Sequence, residues 1–528
     1  MKTDIKFVLR VLSSILLAVL GSTQISHAQT KVNDEREIEV IEIDLTGNTI
    51  FSDEELISVL NLSKDKITLE ELVEARKKID LYYHQEGYVG SGSFIPPQEI
   101  VEGKLRLEIV EAVLSSISVK GTDGLSESYI KSQLPSEGKP VNINEIAVAI
   151  SRLKNHPLIK TISSELEAES VGKNILLITV GEQSPFSASV GFNNSYSPSV
   201  GSFGGNTRLV HRNLLGIRDR LSLNLSKTDG LTRWGTSYFL PFNNSDGGVA
   251  ISYASAKSEV VEEELQNLGI EADYESFVLN FSQPFRVGKQ EQITLAFAVE
   301  RIESETFVLS DSSFAFTEGL PDGKSKLTVL QLSQSYSKTG DSSLFLIQSQ
   351  FDVGLDLFET TETEVGIDSR FWLWNGRVQY LKALNEENDS LFLALLNVQL
   401  TPDQLLPVKQ ITMGGTAGSV RGLRPNLVVA DSGVIGTVEI SVPLIRTDSW
   451  GTFSISPFID GGTLWNNERE TTGSSAFIST GLGLQYTIDN LLTARIDYAV
   501  PLVEADGYGE TETEQNWSFY LLLDVIRF

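Results

Sequence analysis

Phe186-Ser187-Ala188-Ser189-Val190-Gly191-Phe192 alternates bulky apolar with small or polar residues at a period of two. The alternation returns at Leu221, Leu223 and Leu225, at Phe277, Leu279 and Phe281, and at Ile293, Leu295, Phe297 and Val299, with Ser222, Asn224, Ser282 and Thr294 interleaved or adjacent. Successive side chains of a strand point to opposite faces, so each run has one apolar and one polar face. A cylinder with lipid outside and water inside uses both faces, but a soluble β-sandwich shows the same pattern. The connections separate the two. Long segments over 257–274, 301–326, 354–368, 401–432, 461–474 and 503–515 alternate with short turns over 216–219, 241–247, 284–290, 337–342, 384–389, 444–449 and 488–490, nearly all carrying Gly, Pro, Asn or Asp. Long loops on one rim and tight turns on the other is how an outer-membrane barrel is built. At roughly 20 residues per strand plus connection, residues 183–528 predict a transmembrane antiparallel β-barrel of about 16 strands. An even count lets the first and last strands pair and removes open edges.

The start of the chain sets the route. Lys2, Lys6 and Arg10 precede the apolar run Val11 to Leu20 and a Ser26-His27-Ala28 cleavage site, so residues 1–28 read as a secretory signal. That run is too short to span a bilayer, and no other stretch approaches the length of a transmembrane helix. A membrane protein with this sequence must therefore cross as a barrel. Mean hydropathy is -0.04, as expected when only alternate residues meet lipid. The chain has no cysteine, which excludes a disulfide framework, a thiol nucleophile and a Cys-based metal site. A net charge of -28 argues against binding nucleic acid. Much of the excess acid falls in long loops, at Glu259 and Glu262 to Glu264, at Glu359, Glu362 and Glu364, and at Glu504, Asp506, Glu510, Glu512 and Glu514. A solvated surface explains it; a divalent-cation contact with outer-leaflet lipid is the alternative.

Between signal and barrel the chain repeats one α/β unit twice, over 38–111 and 112–182, after a short segment 29–37. In the first copy a strand through Val40, Ile41, Ile43 and Leu45 ends at Gly47-Asn48. Ser52-Asp53-Glu54-Glu55 and Thr68-Leu69-Glu70-Glu71 each form a capping box at a helix start, the second ahead of Leu72, Ile79 and Tyr83 on one face. Strands around Phe94 and over Leu105 to Val110 complete it. The second copy begins with Ile117 and Val119, places helices over Glu127 to Leu134 and Ile143 to Asn155, and ends in strands over Ser163 to Glu169 and Asn174 to Val180. A small sheet with helices on one face leaves an edge to which an extended peptide could add.

The order of Leu45-Thr46-Gly47-Asn48-Thr49, Gly87-Tyr88, Ile95-Pro96-Pro97-Gln98, Gly103-Lys104-Leu105-Arg106-Leu107 and Asn155-His156-Pro157-Leu158-Ile159 resembles the two POTRA domains of two-partner secretion transporters, the TpsB or haemolysin-activator family. The resemblance covers essentially the whole mature chain. Its most specific match is Gly414-Gly415-Thr416-Ala417-Gly418-Ser419-Val420-Arg421-Gly422-Leu423, in the long loop after the strand Leu391 to Leu400. In the family this sixth outer loop, here 401–432, folds into the lumen with a Val-Arg-Gly-aromatic tip. Leu423 stands where the aromatic is usual. Phe458-Ile459-Asp460-Gly461-Gly462 is similar to the family's Phe-x-Asp-x-Gly wall motif, so the resemblance implies contacts among Val420, Arg421, Gly422, Leu423, Phe458, Asp460 and Gly462, with Arg421 paired to Asp460. An Arg in a confined barrel calls for a bidentate carboxylate, and flanking glycines allow a sharp tip. Family members often carry a pore-plugging N-terminal helix and linker; residues 29–38 are too few for both, so the inward loop is expected to be the main obstruction.

The resemblance implies a translocation channel in the outer membrane of a Gram-negative-type cell, with POTRA domains in the periplasm, exporting a large β-helical exoprotein of the haemolysin or adhesin kind without ATP. Further expected partners are outer-membrane lipid and, during biogenesis, the barrel-assembly machinery; the barrel is expected to be monomeric. An insertase of the barrel-assembly branch and a passive porin are the rival readings. No enzyme signature is present: Gly319 to Ser325 fails the phosphate-loop spacing, His-Glu-x-x-His and Gly-x-Ser-x-Gly are missing, and no cofactor or metal is expected. The last strand is ambiguous. Trp517, Phe519, Leu521, Leu523 and Val525 have the opposite parity from the terminal Phe528, whose own parity contains Asp524.

Overall fold

The computed structural model describes residues 37–526, apart from 63–65, 289, 310–311, 317–319, 321–322, 364–366, 388, 417, 448–449, 468–474, 490 and 506–512. The signal 1–28, Ala417 of the loop motif and the terminal Phe528 lie outside the described residues. The chain divides into two compact units: 37–120, 131–154 and 162–180 form one, and 121–130, 155–161 and everything from Gly181 the other.

The first α/β unit runs β1 (Glu37–Glu39), β2 (Glu42–Thr46), α1 (Asp53–Leu60), β3 (Lys66–Thr68), α2 (Leu69–Gln85), β4 (Gly92–Phe94) and β5 (Lys104–Val110). The expected opening strand starts later, at Glu42, where β2 pairs in parallel with β5, and residues 37–39 form a separate strand paired with β3. At α1 the Ser52 hydroxyl accepts the Glu55 N–H. At α2 Thr68 and Glu71 complete a reciprocal capping box. Leu72, Ala75, Ile79 and Tyr83, spaced three and four apart, form the buried stripe of α2. Three of them pack with Leu45, Leu56, Leu60, Leu107 and Ile109. The Glu111 carboxylate ties the unit together, accepting the N–H groups of Thr49 and Ile50 and the Tyr83 hydroxyl.

The second copy has β6 (Val113–Lys120), α3 (Glu127–Ser132), α4 (Ile143–Lys154), β7 (Ile159–Ser170) and β8 (Lys173–Glu182), with sheet order β6-β8-β7. Helix α3 is shorter than expected, and β7 longer. Glu182, at the end of β8, accepts the N–H groups of Asp123, Gly124 and Leu125, as Glu111 does after β5. The repeat therefore extends to a carboxylate that closes each first-strand turn.

The barrel consists of sixteen strands. They are β9 (Phe186–Asn193), β10 (Gly204–His211), β11 (Arg220–Lys227), β12 (Leu231–Pro241), β13 (Gly248–Glu259), β14 (Glu271–Arg286), β15 (Glu291–Val308) and β16 (Lys324–Thr339). There follow β17 (Ser343–Leu355), β18 (Trp372–Ala383), β19 (Leu391–Leu400), β20 (Ser432–Thr447), β21 (Gly451–Trp465), β22 (Ala476–Ile488), β23 (Leu492–Pro501) and β24 (Trp517–Ile526). Each pairs antiparallel with its neighbours in sequence, and β24 closes on β9. The alternation predicted from sequence is the alternation of wall faces. Phe192, Leu223, Leu225, Phe277, Phe281, Leu295 and Phe297 are exposed on the outside, whereas Ser276, next to Phe277 in β14, bonds to Glu300 inside. Tyr336, Phe345, Tyr380 and Phe392 form an edge-to-face row across four strands near the turn rim, as in an interfacial aromatic girdle.

Two expectations change. The segments 257–274 and 301–326 are not loops throughout: β13 and β14 stay paired to Glu259 and Glu271, and β15 and β16 to Glu305 and Lys324. Cross-strand ion pairs, Lys257 with Asp273 and Lys324 with Glu305, hold these ladders together. The last strand is resolved as well. Trp517, Phe519, Leu521 and Leu523 stand opposite Tyr498, Ile496, Ala494 and Leu492, and Leu521 opposite Phe192, so they face lipid. A register shift between Asp524 and Ile526 then resets the count, placing Ile526 opposite Ala188 of the outward set.

Candidate functional site

Residues 401–431, between β19 and β20, fold into the barrel. A short antiparallel ribbon, Ile411–Met413 with Val428–Ala430, carries the loop inward. Met413, Val420, Leu423, Val428 and Ala430 pack on Ile435, Leu464 and Phe477 of the inner wall. Leu423 is thus held by apolar packing. The tip turns through Gly414, Gly415, Gly418 and Gly422, all at positive φ. A Cβ on Gly414 would lie 2.1 Å from the Arg424 carbonyl oxygen, so this turn admits glycine alone.

Arg421 is 1% exposed and Asp460, on β21, is 0%. The guanidinium donates from Nε and Nη2 to the two Asp460 oxygens at 2.7 and 2.9 Å, and the Arg421 backbone N–H donates to the same carboxylate. Nη1 donates to Glu439 on β20 at 2.9 Å. The guanidinium carbon sits 3.3 Å from the Phe458 ring centre, a cation–π contact. Three positions of the wall motif have a spatial reason: Asp460 binds, Phe458 covers, and Gly462 leaves room for the loop. A Cβ at Gly462 would be 2.8 Å from Met413 Sδ. Of the seven residues expected at this contact, Arg421 meets Asp460 and Phe458, Gly462 faces Met413 of the loop, Val420 and Leu423 pack on the inner wall, and Gly422 lies against Ala499 and Pro501 of β23.

The sequence reading missed the rest of the network. Arg495 on β23 donates to Glu439 at 2.8 and 2.9 Å and to Asp497 at 2.7 Å. Two guanidiniums thereby share three carboxylates. The spacing Arg495-x-Asp497 on a lumen-facing parity was the available signal. Residues 513–515, ahead of β24, also clasp the tip: Gly422 and Leu423 pair with Gln515 and Glu514, and Arg424 N–H donates to Thr513 O.

At the other end of the loop, Lys409 donates to Glu300 on β15 at 2.8 Å and lies 3.4 Å from Asp352 on β17. Leu405 and Leu406 pack with Ile302, Leu327, Val329, Ile367, Phe371 and Leu373. Asp431, fully buried, accepts from Leu405 N–H, Gln410 Nε2 and Asn467 N–H at the base. The loop is therefore a strap fixed to the β15–β18 wall by Lys409 and to the β20–β23 wall by Arg421. The Arg421–Asp460 pair is buried, and losing one partner from such a pair costs about 3–5 kcal/mol because the other charge is stranded; the Lys409–Glu300 pair is only partly buried and contributes less.

A closed sixteen-strand barrel holding an arginine-tipped loop, preceded by α/β repeats, defines a class of outer-membrane transporter. Residues 172–486 match the haemolysin secretion/activation protein family ShlB/FhaC/HecB, and residues 38–112 match the ShlB-type POTRA domain. The chain belongs to this family: it is an outer-membrane channel with periplasmic POTRA structure that secretes a partner exoprotein. Among its relatives, the outer membrane transporter CdiB of Dickeya dadantii (strain 3937) is 22% identical over 426 residues, covering 79% of this chain and 74% of that one. The heme/hemopexin transporter protein HuxB of Haemophilus influenzae (strain 86-028NP) is 22% identical over 490 residues, with 87% and 82% covered. The solved structure of CdiB from Escherichia coli superposes with a TM-score of 0.72 at 18% identity, covering 98% of this chain and 97% of that one.

Proposed function

We propose that the chain exports one large, β-helical exoprotein of the haemolysin or adhesin kind, and that loop 6 is the element that moves to let it pass. The POTRA domains, taken as 38–111 and 112–182, receive the unfolded N-terminal secretion domain in the periplasm, at a sheet edge such as β7. The barrel, 183–528, passes the chain outward. Folding outside draws it through without ATP, since a chain that has buried its apolar surface beyond the pore does not readily return. The carrying observation is the bidentate Arg421–Asp460 pair inside a closed barrel. A passive pore has no need of a loop held across its lumen by glycine-dependent turns and ion pairs. The barrel works as a monomer in outer-membrane lipid after assembly by the barrel-assembly machinery.

Deleting the gene and profiling both the medium and the outer membrane tests this. Loss of a single exoprotein with an intact set of barrel proteins is expected; a broad fall in barrel proteins would favour the insertase reading. Arg421→Ala that leaves secretion at wild-type level would overturn the gating role.

A further inference from the structure

In the lumen Lys409 and Arg495 each engage two carboxylates and Arg421 three. Arg208 on β10 and Arg233 on β12 do not. Among the described residues no carboxylate lies within ion-pair distance of either, and both side chains are exposed.

Register places both on the inner face. Arg208 lies opposite Asn224, Asn224 opposite Gly235, Gly235 opposite Ala254 and Ala254 opposite Ser276, whose hydroxyl bonds to Glu300 of the Lys409 site. Residues directly opposite in a ladder share a face. Arg233 lies opposite Ser226 and Ala256, and Ala256 opposite Tyr274, which packs with Leu405 and Leu406 of loop 6. Between the two arginines β11 offers only Asn224 and Ser226. Asp524, the carboxylate along the Arg208 rung, lies beyond Ser189 on β24, two strands away. Loop 6 takes its ion pairs from β15, β17, β20, β21 and β23 and from Glu262 of the β13–β14 connection, and among the described residues none comes from β10, β11 or β12.

We propose that Arg208 and Arg233 form an anion-receiving site on the inner wall, which takes carboxylate side chains of the polypeptide in transit. It rests on the secretion reading only for the identity of the passing chain. In a protein of net charge -28, an acidic cargo would otherwise meet repulsion. Two guanidiniums with spare donors offer bidentate hydrogen bonds that form and release in water. The small, neutral Asn224 and Ser226 leave them accessible.

The absence of cysteine makes the test clean. Ser226→Cys puts a thiol roughly 5 Å from Arg233 and 7–8 Å from Arg208, by ladder geometry. In the purified full chain, this thiol is expected to react with an anionic sulfonatoethyl methanethiosulfonate faster than with a cationic trimethylammonium analogue, on the order of tenfold after correction for free-thiol rates. Adding Arg208→Gln and Arg233→Gln should bring the ratio close to one. Poly-glutamate, and not poly-lysine, should protect the thiol while both arginines are present. Equal rates in the Ser226→Cys chain, a ratio unmoved by the double substitution, or no reaction with either reagent would overturn the site. None of these readouts needs an exoprotein, so they fail independently of the secretion reading.

Discussion

Gly481 on β22 lies directly opposite Phe458 on β21, and the Phe458 ring occupies the space that a side chain at 481 would fill: a Cβ there would come within 2.4 Å of Phe458 Cζ. The ring that covers Arg421 therefore depends on a glycine one strand away. Gly481→Val should push the ring off the guanidinium and unseat the loop tip and, because the same Cβ would lie 2.2 Å from the Tyr498 carbonyl oxygen, should also open the β22–β23 ladder there. Ser419→Cys, combined with Gly481→Val, should then label faster with an impermeant maleimide on intact cells than Ser419→Cys alone. Equal labelling would show that the ring does not hold the tip.

Arg421→Ala strands Asp460, which is fully buried, and removes one of the partners of Glu439. The loop seat should lose about 3–5 kcal/mol, whereas Arg421→Ala with Asp460→Ala should lose much less than the sum of the single changes. Arg421→Lys keeps the charge but not the fork, and should fall between wild type and alanine. Thermal unfolding in detergent, scored as heat-modifiable gel mobility, separates loop release from barrel collapse: secretion should fall well before the barrel loses its resistance.

Lys409 predicts a different pattern. It fixes the far end of the same strap, so Lys409→Ala should loosen the loop at its base and leave the Arg421 tip seated. Combined with Arg421→Ala it should raise single-channel conductance in planar bilayers above either single variant. Conductance of the double variant equal to that of Arg421→Ala alone would mean that Lys409 holds nothing the tip does not already hold.

What the sequence revealed, and what it hid, follows the range of the interactions. A period of two is local, so the inside and outside of β9, β11, β14 and β15 were legible from Phe186, Leu223, Phe277 and Leu295. The Arg421–Asp460 contact was legible because both ends sit in distinctive short motifs. Lys409 with Glu300 and Asp352, and Glu439 with Arg495, were not, because these partners meet only once the register of the whole cylinder is fixed. The last strand was ambiguous for the opposite reason. A local count of two holds only while the ladder is regular, and a shift between Asp524 and Ile526 breaks it. The long strands β13 to β16 outran their expected ends because paired ladders continue past the bilayer, where polarity no longer marks the boundary. Glu111 and Glu182 sit in no distinctive motif, and only the turn N–H groups around them reveal a repeated clamp.

His156 sets a pH dependence outside the membrane. Its Nδ1 accepts the Leu158 N–H at 3.2 Å, which only the unprotonated nitrogen can do, and burial pushes its pKa below the ordinary value. A histidine with a lowered folded pKa binds its proton more readily when unfolded. The stability it contributes is therefore complete above about pH 6.5 and is lost as pH falls below that value. Hydrogen exchange across residues 155–161 should accelerate, after correction for intrinsic rates, between pH 7 and pH 5. His156→Asn, whose side-chain oxygen can accept the same N–H without titrating, should abolish the dependence.

The outward assignment of Leu521 and inward assignment of Leu522 make a paired test of the closing strand. Leu521 lies between Ala494 and Phe192 on the lipid face, and Leu522 between Thr493 and Gly191 on the lumen face. A cation facing the bilayer midplane of a barrel costs about 2–4 kcal/mol, and one facing water costs little. Leu521→Arg should therefore reduce the yield of folded, heat-modifiable barrel in the outer membrane, while Leu522→Arg at the adjacent position should assemble near normally. Trp517→Arg, toward the loop rim, should be milder than Leu521→Arg because the penalty falls toward the interface. If Leu522→Arg proves the more damaging, the parity of β24 is reversed, and with it the placement of Phe519 and Leu523 against lipid.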